Sequence, residues 1–284
     1  MKRFLFSLLA LTVSASAIEL KGDFKGPLGL QLYSLRETFK QNPTAALDTT
    51  KNLGFQFAEL YSGLPMETEK LKIELSARGI TPVSGHFSYD ALKKDPAPSV
   101  AAAKALGLKY AGVAWIPHEI ANFGEADVQR AAADFKVFGE AFKAAGIQFF
   151  YHVHGYEFRP VKEGATETFF DLLAKASDPE LVKFEMDVFW VVQPGADPVK
   201  LLEKYPGRWA LMHLKDIRKG AQVGVFTGKA PLTDDVALGT GQVNWPAVLR
   251  AAEKSGVKYY FIEDESPTVL DQLPVSLRYL QTVK

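Results

Sequence analysis

Eight apolar, strand-like runs alternate with helical stretches along this chain, and no other feature constrains its fold as tightly. The runs are LGLQLY (28–33), FQFAEL, ITPVSGHF, LKYAGVAW, IQFFYHVH, VKFEMDVFW, RWALMHLKD and VKYYFIED. Helical stretches over 45–53, 65–77, 99–106, 125–145, 166–176, 198–204, 245–254 and 268–280 follow them in turn, and Gly54, Gly79, Gly107, Gly146 and Gly256 each stand where a helix should stop. Strands that alternate with helices imply a parallel sheet. Eight such units with no composition break predict one closed α/β barrel, a (β/α)8 TIM barrel over 18–284. A doubly wound open sheet is the competing arrangement, but the first strand lacks the GxGxxG turn of a dinucleotide site.

Four of the runs end in metal-binding residue types. VKFEMDVFW carries Glu185 and Asp187, FFYHVH ends on His152 and His154, WALMHLKD on His213, Lys215 and Asp216, and YYFIED on Glu263 and Asp264. A buried carboxylate is costly without a cation nearby. Barrel active sites form at the C-terminal strand ends, so the barrel would bring His152, Asp187, His213 and Glu263 to one point. Two imidazoles and two carboxylates suit one divalent first-row ion: Mn, Fe, Co, Ni or Zn. Taken singly, each residue has a plainer use: a strand-end histidine is ordinarily a hydrogen-bonded structural group, and Asp187 or Glu263 could cap a helix. Four coincidences in consecutive strands favour the metal. Because alternate residues share a face, His154 competes with His152 for the fifth-strand ligand position.

Around this centre, Lys215 shares the face of His213 and would point at substrate, unless it pairs with Asp216 or Glu185. Glu157 is expected in a loop, as a proton carrier or a solvated acid. Trp190 offers a ring face to a sugar or packs in the core. Glu59 and His86 line the opposite rim and could bind hydroxyls. The connection between Asp216 and Asn244 is long and glycine-rich, and a loop of that length in a compact domain is usually functional.

The first residues, MKRFLFSLLALTVSASA, combine a basic start at Lys2 and Arg3, an apolar run over 4–13 and a small-residue site at Ala15-Ser16-Ala17. That is the layout of a secretory signal over 1–17, too short in its apolar part for a membrane span. A periplasmic or secreted protein with no membrane attachment after cleavage is expected. With no cysteine, the fold needs no disulfide and the metal site no thiolate. Lys and Arg total 33 against 33 Asp and Glu, which gives no basic footprint for nucleic acid.

The segments GLQLYSLR, AELYSG, YHVHGYEF, FEMDVFWVVQPGADPVKLLEKYPGR, MHLKDI and ALGTGQVNWPAVLRAAEKSGVKYYFIEDESP together resemble the xylose-isomerase-like barrel superfamily of sugar isomerases and epimerases. The resemblance implies one divalent metal held at the ends of the fifth to eighth strands, on positions matched here by His152, Asp187, His213 and Glu263. It also implies a small carbohydrate substrate that chelates the metal through adjacent oxygens. Ketose 3-epimerases of the superfamily carry glutamate at the fifth-strand position, and that glutamate works with the eighth-strand one as a pair of bases. This chain has YHVH there, so a different proton-transfer set is needed, with Glu263, His154, Glu157 and Lys215 as its members. The leading expectation is an isomerase or epimerase that moves a proton next to a carbonyl of an unphosphorylated sugar. A lyase or hydratase acting by elimination on a 3-keto-sugar or keto-glycoside is the close alternative, and a non-enzymatic sugar-binding barrel the alternative of another class. The superfamily's DNA-repair branch needs more histidines than the five present.

Overall fold

The structure, a computed structural model, describes residues 18–284; the signal expected over 1–17 lies outside them. Eight parallel strands close into a barrel: β1 (Leu28–Gln31), β2 (Phe57–Leu60), β3 (Thr81–His86), β4 (Tyr110–Val113), β5 (Gln148–His152), β6 (Val182–Asp187), β7 (Trp209–Leu214) and β8 (Tyr259–Ile262). Each pairs with its sequence neighbours, and β8 pairs with β1 to complete the ring.

Alternation along the strands builds the interior in layers. Val83, Phe150, Leu211 and Phe261 form an apolar plug across the base. Two residues further along their strands stand His152, His213 and Glu263, so the same face changes from apolar to polar toward the C-terminal mouth. Gly29 on β1 makes room for the plug, since a Cβ there would lie 2.7 Å from the Phe261 ring. The opposite strand faces pack on the helices: Phe149 and Tyr151 of β5 meet Phe135, Phe138 and Phe142 of the long helix Glu125–Ala144.

The elements depart from the periodic reading mainly at their ends. The first run leaves the sheet after Gln31 and coils into a 3-10 turn over Leu32–Leu35, with the Gln31 side chain accepting the Tyr33 N–H. Thr168 and Asp171 form a reciprocal cap, so the helix expected from 166 begins at Phe169. Three short helices were not expected, Arg36–Gln41, Tyr89–Lys94 and Val188–Val192. The long connection after β7 is not structureless: Asp216–Ile217 pairs antiparallel with Asp235–Val236. The buried Asp216 carboxylate holds its return path, accepting the N–H groups of Gly239 (3.0 Å), Gly241 (3.1 Å) and Val243 (3.3 Å) and the Trp245 indole N–H (2.9 Å). Among the described residues, no helix is long and apolar enough to cross a membrane.

Candidate metal centre and active site

His152, Asp187, His213 and Glu263 are all buried, and their donor atoms lie within 4.8 Å of one another. His152 Nε2 is 3.0 Å from His213 Nδ1 and 3.5 Å from Asp187 Oδ2; His213 Nδ1 is 3.2 Å from Glu263 Oε2 and 3.6 Å from Asp187 Oδ2. Four donors set about 2.1 Å from a tetrahedral centre would stand about 3.4 Å apart, so the observed spacings fit a common cation. Asp187 divides its work: Oδ1 accepts the Trp190 N–H at 3.1 Å and caps the helix Val188–Val192, while Oδ2 is buried with no hydrogen-bond partner. The orphaned oxygen and the two facing imidazole nitrogens are explained together by a metal ion.

Behind the cluster lies a second group, the buried Glu59, Glu185 and His213 with the partly buried His86, which also borders the cavity described below. Glu59 Oε1 is 2.6 Å from His213 Nε2 and also accepts the Gln31 amide at 2.7 Å. Glu185 lies 3.2 Å from the same His213 nitrogen and 2.9 Å from His86 Nε2. A proton on His213 Nε2, held by Glu59, leaves the Nδ1 lone pair facing the centre. Carboxylate partners commonly fix a metal-binding histidine in this way. Burial disfavours the His86 cation, but Glu59 and Glu185 raise its pKa above the ordinary histidine value.

The centre opens into a cavity of ≈ 640 Å³ at the C-terminal mouth, where barrel active sites form. Lys215 borders it and does not meet Asp216 or Glu185. Its ammonium bonds Glu263 at 3.3 Å and Glu265 more closely, with Asp235 at 3.8 Å and the rings of Phe189 and Trp190 at 5.5 and 5.4 Å. Burial opposes that charge, yet Glu263 and Glu265 hold the pKa well above the usual lysine value. Glu263 shows the converse: burial raises its pKa, and Lys215 and His213 bring it well below the carboxylate range. His154 stacks on Trp190 (5.2 Å, 28°) and borders the cavity with an unpartnered Nδ1. Burial, and then the neighbouring His152, lowers its pKa to about 3, so it is a neutral imidazole.

One alternative is decided and two placements differ from the sequence reading. His152, not His154, enters the cluster; His154 stands one layer nearer the mouth. Glu59 lies below the cavity floor, tied to Gln31 and His213, so it is not at the rim where a substrate hydroxyl would meet it. Glu157 is neither solvated nor on the cavity wall. It is buried in the 3-10 turn Tyr156–Phe158, where its carboxylate takes the Tyr151 hydroxyl and, at 2.9 Å, the His154 N–H. Tyr151 faces the helices, and Glu157 follows it into that outer layer. The sequence reading missed Glu265 and Asp235. Nothing local marks either one, and Asp235 reaches the cavity only through the hairpin that folds the long loop back.

A closed (β/α)8 barrel with a buried four-donor cluster at its C-terminal mouth defines a class of barrels built around a candidate metal centre. Residues 47–282 match the model of the xylose isomerase-like TIM barrel family, and the chain belongs to that family. An inosose dehydratase of Clostridium botulinum (strain Alaska E43 / Type E3) is 24% identical over 284 residues, covering 87% of this chain and 89% of its own. A sugar phosphate isomerase/epimerase from Parabacteroides distasonis ATCC 8503 superposes with a TM-score of 0.76 at 23% identity, over 94% of this chain and 95% of that one. The IOLI protein, solved with a binding zinc atom, superposes with a TM-score of 0.66 at 12% identity, over 89% and 95%. With family membership and a dehydratase relative along nearly all of its length, the protein is an enzyme.

Proposed function

We propose that the protein is a divalent-metal-dependent enzyme that transfers a proton at the carbon next to the carbonyl of an unphosphorylated sugar or polyol ketone, with elimination from the following carbon as its outcome. The convergence of four buried donors beside the charged Lys215 carries this reading. When bound on His152, Asp187, His213 and Glu263, the ion would polarise the substrate carbonyl and stabilise negative charge on its oxygen. Lys215 adds a second positive charge at the same end of the cavity. Glu263, or Glu265 beside it, accepts the proton from carbon. In the elimination, the carbon–hydrogen electrons form the new double bond, the neighbouring carbon–oxygen bond breaks, and the departing oxygen takes a proton from Lys215. His154, being neutral, orients a hydroxyl by hydrogen bonding.

Elimination is placed ahead of epimerisation because the acid–base groups are lopsided. Glu263, Glu265 and Lys215 form one connected set, and the group facing them from β5 is an uncharged imidazole rather than a second carboxylate. The dehydratase relative points the same way. The isomerase or epimerase reading is kept as the second, on the likeness to a sugar phosphate isomerase/epimerase. Incubation of the metal-loaded protein with an inosose and with free ketoses in heavy water, followed by NMR, separates them. Loss of water, with deuterium at the following carbon where the enol product ketonises, supports the first; deuterium next to the carbonyl with a rearranged sugar supports the second. No exchange and no loss of water in any ketone would contradict both.

Export belongs to the same proposal: cleavage after Ala17 would deliver the chain to the periplasm or outside the cell, where sugar phosphates are scarce. Mass spectrometry of the protein recovered from the periplasm should find a chain beginning at Ile18.

A further inference from the structure

The cavity has two halves of different chemistry. The candidate metal ligands and Lys215 come from the ends of β5 to β8, with Phe189 and Trp190 beside them, whereas past the ends of β1 to β4 aromatic rings join Gln31 and His86 on the wall. Tyr33, Tyr61, Phe87 and Trp115 all border the same cavity. Tyr33 is 37% exposed and the other three are half-buried, so none is simply a core side chain. The rings are nonetheless held in place. Tyr33 and Tyr61 meet edge to face at 5.3 Å; the Arg36 guanidinium sits 4.7 Å over Tyr33 and is tied to the Glu265 carbonyl at 2.9 Å. Trp115 stacks on His118 at 5.0 Å. Gly228 of the long loop closes against its edge, where a Cβ would lie 2.8 Å from the indole and the backbone has φ +64°.

Of these rings, Trp115 connects to the metal centre through His154. His154 is 4.9 Å from His152, and Trp115 is 5.3 Å from His154, centroid to centroid. A sugar ring reaching the four donors would therefore carry its next substituent toward the aromatic half. At ≈ 640 Å³ the cavity falls within the range that takes drug-sized ligands, and a lone six-membered ring would leave much of it to water. Fixed rings offered to a cavity beside polar groups suit a ligand with an apolar face and a polar edge, which is the character of a pyranose or aryl ring.

We propose that the aromatic half is a second subsite that takes the neighbouring ring of the substrate, so that the substrate class is a glycoside of two rings rather than a free monosaccharide. This rests on the reading of the site as one for sugars, and the second ring is another sugar or an aryl aglycone. The test is the affinity of the metal-loaded protein for methyl β-D-glucopyranoside, phenyl β-D-glucopyranoside and cellobiose, measured by ligand-observed NMR. At least one two-ring ligand should bind about tenfold more tightly than the methyl glucoside, and which one does so identifies the second ring. Tyr33→Ala and Trp115→Ala should each bring that ratio to within about twofold of one. Tyr33 is exposed, so its variant keeps the test open if Trp115→Ala fails to fold. Equal affinities in the unaltered protein, or a ratio unmoved in the variants, would overturn the subsite while leaving the sugar reading in place. Binding of none of the three would also overturn the subsite, whereas the sugar reading stands or falls on the ketone exchange experiment.

Discussion

His213 Nε2 lies 2.6 Å from Glu59 Oε1, on the side of the ring opposite the Nδ1 that faces His152, Asp187 and Glu263. The buried glutamate from β2 thereby fixes which nitrogen of the β7 histidine is free to bind. Glu59→Gln should keep the shape of the contact and weaken its hold on the proton. Metal affinity is expected to fall about 10- to 100-fold, read by competition against a chromophoric chelator.

Lys215 is held by Glu263 and Glu265, and it is buried with Glu263 while Glu265 is partly exposed. Lys215→Met removes the charge and keeps the stem. The rate of carbon deuteration or of product release should fall by about 10²–10⁴-fold, with metal content retained. The Glu263 carboxylate left behind is buried, so unfolding free energy should drop by roughly 3–5 kcal/mol in a denaturant titration.

Glu157 supplies a pH dependence away from the centre. Burial raises its carboxyl to about 7, against the opposing hydrogen bonds from Tyr151 and the His154 backbone. The folded protein therefore binds this proton more tightly than the unfolded chain. The associated stability is present in full below the unfolded carboxylate pKa, near 4.5, and is lost as pH rises through 7. Glu157→Gln should remove that slope. Urea titrations at pH 5 and pH 8 should show the variant gaining on the unaltered protein by roughly 3 kcal/mol between the two, and no gain would contradict the assignment.

Asp216 accepts three backbone N–H groups from the return half of the long loop, together with the Trp245 indole N–H. Asp216→Ala leaves these donors without their acceptor and should cost at least about 3 kcal/mol. It should also free residues 218–244 from the cavity wall. Limited proteolysis is the measurement, with cleavage expected inside that segment before anywhere else.

The alternation of apolar runs was enough to recover the barrel, because each strand is buried on both faces and each helix on one. It also located His152, Asp187, His213 and Glu263, since residues at consecutive strand ends must meet once the sheet closes. Glu185 was within reach by the same rule: it shares the face of Asp187 one layer down, yet the sequence reading noted it only as a strand-end acid and a partner for Lys215. Glu265, Asp235, Tyr33 and Trp115 were not legible. They sit just past strand ends or in a long loop, where no period marks a direction and the tertiary path alone decides what they face. Glu157 misled for the opposite reason. A glutamate five residues past a ligand suggests a loop acid, but the outward Tyr151 draws it under the surface.

The central claim is the metal centre, and metal analysis of the purified mature protein tests it most directly, beside His152→Ala and Asp187→Asn. The second change keeps an oxygen to cap the helix at Trp190 while removing the ligand charge. About one divalent ion per chain in the unaltered protein, with both variants losing it while keeping their fold by circular dichroism, is the result expected. A protein that binds no divalent ion after reconstitution, or that binds it equally well in both variants, would contradict the account.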